Sequence, residues 1–359
     1  MSKIIPQKVK ILVADDSALI RNILVDILKN EEFIDTISIA RNGKECIDKA
    51  LILQPDIITL DIEMPIMDGI SALEELIKIK PSPIVIMLSS FTTKGAETTI
   101  KALELGATDF ITKPKGIFFQ QNINTLKTEL ITKIKDLSGS KYKYKQNNTI
   151  TFPIYNQARR ESLPDFKNIK YLVGIGTSTG GPRALQDVIT KLPENLPGAV
   201  FIVQHMPPVF TKSLADRLNG ISNIRVKEAE NGENVKAGYV YIAPGDYHME
   251  IIHEDKEGYK IITSQKPLVN GHRPSVDVMM DSLSKLKNER IIAVIMTGMG
   301  SDGADGIKKI KNVGGMTIAQ SEETCVVYGM PKAAVATNAI DVILPLEDIT
   351  KQILRYMGV

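Results

Sequence analysis

Cysteine is nearly missing: the 359 residues hold only Cys46 and Cys325, far apart and outside any CxxC motif. A disulfide framework is thereby excluded, a reducing compartment fits, and both thiols read as buried apolar residues. A charge of one sign is lacking as well. The formal net charge is +2, too weak a field to mark a binder of nucleic acid or of a membrane surface. No apolar run reaches the ~18 residues of a membrane span, so no membrane insertion is expected. The opening MSKIIPQKVKILVADD leads straight into a strand pattern instead of a signal-peptide core, and the expected location is the cytoplasm. No internal repeat relates one half of the chain to the other. What is present is a 43% hydrophobic composition over a length that suits two or three domains, each with its own core.

The first third alternates apolar runs with helical patterns. VKILVA (9–14) reads as a buried strand and is followed at once by Asp15 and Asp16, then by SALIRNILVDILKN with helical spacing. Further strands are expected at residues 36–40 and at 56–60, the latter running into Asp61. Acidic residues at the ends of parallel strands point into the crevice where such sheets bind ligands, so three carboxylates should converge on one edge. Hard oxygen donors in that number suit Mg²⁺ with a phosphoryl group, and Asp61 is placed to accept one. PIVIMLSS ends in Ser89 and Ser90, and DFITKP ends in Lys113 before Pro114. A hydroxyl and a lysine at the same edge can bind phosphoryl oxygens.

VADDSAL, LDIEMPIMDG, MLSS and ATDFITKP together resemble the receiver domain of two-component response regulators. The resemblance implies a doubly wound, five-stranded, flavodoxin-like domain with Asp61 as phospho-acceptor and Asp15, Asp16 and Asp61 as the Mg²⁺ ligands. It further implies Ser89 as the switch hydroxyl, Lys113 as the phosphate-contacting lysine, Phe110 as the switch aromatic and a histidine kinase as phosphodonor.

From about Lys133 the periodicity dissolves into LSGSKYKYKQNNTITFPIYNQARRESLPDF, a polar, irregular stretch read as a linker. The expected division is therefore residues 1–133, a linker over 134–167, and a second domain over 168–359.

The second domain opens on YLVGIGTSTGG (171–181), a short apolar run entering a glycine-rich turn that leaves as a helix. Residues 176–180 fit G-x-S-x-G, which places Ser178 at the ligand-binding edge of a sheet. The glycines are expected to give the serine turn its unusual backbone angles and to let a carbonyl approach. A dinucleotide fingerprint is one residue too short for the spacing of Gly174, Gly176 and Gly180, and Gly-Lys-Ser/Thr of a Walker loop is missing. AVFIVQH then ends in His205, the best placed of four histidines to act as a base; His248 and His253 lie in a hairpin pattern and His272 in a loop. RIIAVIMTGMGSDG adds a third buried run that enters a loop carrying Asp302, able to orient His205, with Asp305 as the fallback. Backbone amides near 298–300, or at Thr179, are the expected oxyanion donors.

The order Ser, His, Asp is not that of the α/β-hydrolases. With GTSTGGP, VQHMPPVFT, YIAPGDYHM, HRPSVD, TGMGSDGADG and YGMPKAA, it resembles the catalytic domain of the chemotaxis protein-glutamate methylesterase (CheB) family. The resemblance implies a doubly wound, mostly parallel α/β esterase domain in which Ser178, His205 and Asp302 form the triad, with Thr179 and Met299 at active-site positions. It implies a phosphorylation-regulated serine hydrolase that removes methyl groups from glutamate γ-methyl esters on chemoreceptors and also deamidates receptor glutamines. The chemistry needs no cofactor beyond Mg²⁺ at the receiver, and a monomer is expected. A receiver fused to a non-catalytic binding domain, or an NAD-dependent enzyme built on the Gly174 turn, are the rival readings; neither accounts for Asp302.

Overall fold

A computed structural model describes residues 8–114, 119–138, 169–255, 257–286 and 290–359. The chain divides into two compact units, Met1–Thr149 and Ile150–Val359.

In the first unit, strands and helices alternate: β1 (Val9–Ala14), α1 (Ala18–Leu28), β2 (Ile34–Ala40), α2 (Gly43–Leu53), β3 (Ile57–Asp61), α3 (Gly69–Leu76), β4 (Ile84–Ser89), α4 (Thr93–Leu105), β5 (Asp109–Thr112) and α5 (Phe119–Ser138). The largely apolar runs of β1, β3 and β4 are buried except for Lys10 near the start of β1 and the half-buried Ile84, as strands covered on both faces must be. Four helices start on a polar residue just past a strand or turn. Ser17, Asn42, Asp68 and Thr92 each accept a hydrogen bond from an amide of the first turn and so satisfy a donor the helix itself leaves unpaired. The sheet is parallel in the order β2-β1-β3-β4-β5. The strand order therefore reverses between β1 and β3, which opens a crevice at their carboxyl ends where Asp15 and Asp61 lie. The expected five-stranded doubly wound unit is present.

α5 runs past residue 133, the end expected for this domain, to Ser138, because Leu126, Leu130, Ile134 and Leu137 continue one buried stripe at helical spacing. The rest of the expected linker, 139–167, lies outside the described residues.

The second unit runs β6 (Tyr171–Thr177), α6 (Gly181–Ile189), β7 (Gly198–Gln204), α7 (Phe210–Ile221), β8 (Arg225–Glu228), β9 (Tyr239–Ile242), β10 (His248–Glu254), β11 (Gly258–Ser264), α8 (Val276–Ser284), β12 (Ile291–Ile295), α9 (Ala304–Asn312), β13 (Met316–Gln320), α10 (Met330–Val335), β14 (Val342–Leu344) and α11 (Leu346–Met357). Seven of these strands form one parallel sheet, β14-β13-β12-β6-β7-β9-β8. β10 and β11 make a separate antiparallel hairpin, as their sequence suggested.

Two glycines of β6 decide how closely α8 approaches the sheet. A Cβ on Gly174 would lie 2.9 Å from Leu283 Cδ1, and one on Gly176 would lie 2.4 Å from Val276 Cγ1. Neither has a positive φ; of the glycines around Ser178 only Gly180, at φ 76°, does. Gly180 thus bends the turn as expected, while Gly174 and Gly176 serve helix packing and bring the first turn of α8 down over the ends of β6 and β12.

Candidate functional site

β12, β6 and β7 are adjacent in the sheet, and each releases one of the expected residues from its carboxyl end. Ser178 follows β6, His205 follows β7, and Asp302 lies in the loop after β12.

Ser178 sits in a cradle of buried polar groups. Its N–H donates to Thr297 O at 3.0 Å, and its carbonyl accepts from Gly181 N–H at 2.7 Å and from Gln204 Nε2 at 3.0 Å. Thr297 ties the cradle together: it accepts from Thr177 Oγ1 at its carbonyl, donates from Oγ1 to Thr179 O, and donates its N–H to Gln320 Oε1. Gly298 allows the loop after β12 to touch the serine, since a Cβ there would fall 2.8 Å from Ser178 Cβ and 2.4 Å from Met330 Sδ. The N–H of Gly298 is spent on Val327 O. Those of Met299 and Gly300 donate to no acceptor among the described residues, which leaves both as candidate oxyanion amides. Thr179 is buried at the entry to α6.

Asp302 is 1% exposed and surrounded by donors. His205 Nε2 bonds Oδ2 at 2.8 Å, Val276 N–H donates to the same oxygen at 2.7 Å, and Ser275 Oγ and Asp277 N–H donate to Oδ1 at 2.8 and 3.1 Å. The carboxylate therefore occupies the N-terminus of α8, where free amides and the helix dipole favour an anion. Burial pushes its pKa up, but the His205 bond and the α8 donors outweigh this and hold the carboxyl well below its usual range. Asp277, beside it, is raised by burial and by the Asp302 charge. The fallback Asp305 is exposed and paired with Lys308.

With Nε2 committed to Asp302, the Nδ1 of His205 is the nitrogen left to serve as base. It is buried and has no hydrogen-bond partner among the described residues, so the bond to Ser178 Oγ is not formed in this state. Such bonds commonly tighten only with substrate in place. His272 lies flat against the His205 ring, with centroids 3.8 Å apart and planes 6° apart. The other two histidines serve the hairpin: His248 Nε2 bonds Pro267 O, and His253 packs against Tyr259.

Burial, and then the neighbouring His205, hold His272 down at about 4 from 6.5, opposed by Asp302. The unfolded chain therefore takes up a proton at this side chain before the folded one does, and stability must fall as the pH drops from about 6.5 to about 4. A displacement of that size is worth about 3 kcal/mol, discounted to about 2 for a ring that water partly reaches. Urea unfolding at pH 7 and pH 4 should show the wild type losing about 2 kcal/mol more than His272→Phe. Parallel losses would contradict it.

In the first unit, Asp15 and Asp61 are buried and Asp16 is exposed, and their oxygens lie within 4.8 Å of one another. Lys113 Nζ bridges Asp15 Oδ2 at 2.8 Å and Asp61 Oδ2 at 2.6 Å. Burial and then the Asp15 charge push Asp61 up to about 6 against the pull of Lys113. Burial would lower Lys113, but Asp61 and Asp15 hold it above its usual value. Three carboxylates stand against the Lys113 ammonium and the Arg21 guanidinium, which donates to the backbone carbonyls of Asp15 and Asp16, and this all-oxygen set fits Mg²⁺. Ser89 is fully buried, with its hydroxyl donating to Gly95 O and accepting from Thr99 Oγ1 of α4. Phe110 is turned inward, 5% exposed, under Lys133 Nζ at 5.5 Å from the ring centre. Lys133 donates to Phe110 O at 2.6 Å and pairs with Asp109 at 3.0 Å.

Sequence reasoning missed Lys133, Gln204, Thr297, Gln320, Asn270 and the α8 donors. Only the last had a signal, in the HRPSVD stretch. Cys46 and Cys325 are both buried, as expected, and burial raises both thiols, Cys46 to about 12. No helix of the described residues is long and apolar enough to cross a membrane.

Residues 173–353 match the family model described as CheB methylesterase, and residues 11–118 match that of the response regulator receiver domain. A protein of Symbiobacterium thermophilum named protein-glutamate methylesterase/protein-glutamine glutaminase is 42% identical, with 100% of this chain and 99% of that protein covered. One of the same name from Methanococcoides burtonii is 46% identical, with 98% of each covered. Among solved structures, the CheB methylesterase catalytic domain of Thermotoga maritima is similar at 45% identity and a TM-score of 0.50, covering 52% of this chain and 97% of that one.

Proposed function

The chain belongs to the CheB methylesterase family and carries a receiver domain, and on that premise we propose that it is a serine hydrolase that demethylates glutamate γ-methyl esters on chemoreceptors and deamidates receptor glutamines. The observation that carries the reading is His205, with one nitrogen clamped by a buried carboxylate and the other left without a partner beside the serine strand. Ser178 Oγ attacks the γ-carbonyl as its proton passes to His205 Nδ1, and Asp302 stabilises the resulting imidazolium. The oxyanion is met by backbone N–H groups, with those of Met299 and Gly300 left open for it. The proton then goes to the leaving methoxide or amide, releasing methanol or ammonia. Water, deprotonated by His205, splits the acyl-enzyme to give glutamate and restores Ser178.

In the receiver, Asp61 accepts the phosphoryl group from a chemotaxis histidine kinase. Asp15, Asp16 and Asp61 would hold Mg²⁺, which supplies compensation for the charge of the incoming group. Lys113 binds phosphoryl oxygens, Ser89 turns from α4 toward them, and Phe110 responds. We place the enzyme in the cytoplasm as a monomer, with the receiver extended from the expected residue 133 to the end of α5 at Ser138, residues 139–167 as tether and 168–359 as esterase. The two reduced, buried thiols support that location.

The test is methanol release from receptor membranes methylated with a labelled methyl group, using the full chain with a small phosphodonor and Mg²⁺. Volatile label should appear in proportion to added enzyme. Membranes that keep all their label would overturn the assignment.

A further inference from the structure

We propose that His272 is a positioning residue of the esterase, whose ring lies flat on His205 and, together with Asp302, fixes the plane in which Nδ1 is presented to Ser178. The proposal rests on the reading of His205 as the base. A single hydrogen bond to Asp302 sets the distance of the imidazole but leaves the ring free to turn about that bond. The orientation of a base must be held within about 10–20° for transfer to be efficient. A flat contact at 3.8 Å and 6° supplies the missing constraint.

The segment that delivers His272 is itself rigid. Val269 and His272 exchange both backbone hydrogen bonds, 3.1 and 2.9 Å, around Asn270 and Gly271, whose φ values of 53° and 79° are those of a tight two-residue hairpin turn. From the same turn Asn270 Nδ2 donates to Asp277 Oδ2 at 2.7 Å and reaches Asp302 Oδ1 at 3.4 Å. One turn thus touches both the base and the acid that orients it. The His272 ring makes no hydrogen bond among the described residues, so the fold's polar network does not depend on it. Its burial also keeps it uncharged, so an imidazolium forming on His205 meets an aromatic face and not a second cation.

Full chains carrying His272→Ala, His272→Phe and Ser178→Ala should be compared with the wild type on methylated receptor membranes, with phosphodonor and Mg²⁺ present. kcat and KM are measured separately, beside thermal unfolding. His272→Ala should lower kcat about 30-fold with KM within about two-fold, because the loss is in orientation and not in substrate contact. His272→Phe, which restores a flat ring, should return kcat to within about three-fold of the wild type. Wild-type kcat in His272→Ala, or an effect on KM alone, overturns the proposal. So does a folded His272→Phe that is impaired more than about ten-fold, and this variant decides the matter even if alanine loosens the turn. An inactive Ser178→Ala beside an unimpaired His272→Ala sinks only the positioning role. Full turnover in Ser178→Ala would sink the serine mechanism, and this proposal with it.

Discussion

Replacing Ser178 by alanine is expected to lower methyl-ester turnover by about four to six orders of magnitude while the unfolding midpoint stays near that of the wild type. The side chain contributes nothing to the cradle around it: the bonds that hold this position run through its N–H and carbonyl, to Thr297, Gly181 and Gln204. His205→Ala should cost about as much, and the double variant should be little worse than either, because the groups act as one unit. Asp302→Asn should lose about four orders of magnitude, since an amide neither stabilises the imidazolium nor fixes its tautomer. This variant should also unfold more easily, because the buried oxygens accept from Val276, Ser275 and Asp277 and the amide nitrogen cannot. The decisive comparison is single-turnover hydrolysis with enzyme in excess. Near-normal acylation in Ser178→Ala would end the covalent mechanism.

Asp61→Asn is expected to abolish stable labelling by a small phosphodonor, and with it any response of esterase activity to that donor. On the proposed reading Asp61 is the acceptor: it lies at the point where the strand order reverses, and Lys113 bridges it to Asp15. Asparagine offers no anionic oxygen to attack phosphorus, and Asp15, which shares the lysine and the burial, is expected to remain a metal ligand and not to take the label. Chelation of Mg²⁺ should have the same effect as the substitution. The activity gained on phosphorylation is bounded by the differential stability of two receiver states, a few kcal/mol at most, so a rise of about ten- to a hundred-fold is the reasonable ceiling. Label that persists in Asp61→Asn, or that ignores chelator, would remove Asp61 from its role.

The receiver sheet and the three central strands β6, β7 and β12 of the second sheet were legible because parallel strands buried on both faces leave largely apolar runs, and most of these runs led into a residue of marked chemistry. The outer strands β8, β9, β13 and β14, short or flanked by no such residue, were not read. Asp15, Asp61, Ser178 and His205 could be found from the strand that precedes them. The parts that stayed hidden depend on side chains meeting across the sheet. Thr297 and Gln320 are ordinary polar residues whose worth appears only when β12 and β13 lie beside β6. The roles of Gly174 and Gly176 were misread for a similar reason: a turn signal and a helix-packing signal look alike until the helix is in place. The orientation of the His205 ring, with Nε2 and not Nδ1 on the acid, follows from α8 and has no local signature.

Asp302 stands 97 positions after His205, and Thr177 reaches 120 positions forward to Thr297. Because β12 inserts beside β6 at the middle of the sheet, a growing chain that already carries both Ser178 and His205 lacks the acid, the helix end that holds it and the threonine that shapes the serine turn. Closing so long a loop is entropically slow and comes late in folding. Chains truncated before β12 should therefore be catalytically silent, and the return of esterase activity after dilution from denaturant should lag behind the return of helical signal. Here the chemistry is a receipt issued only when the last central strand has docked.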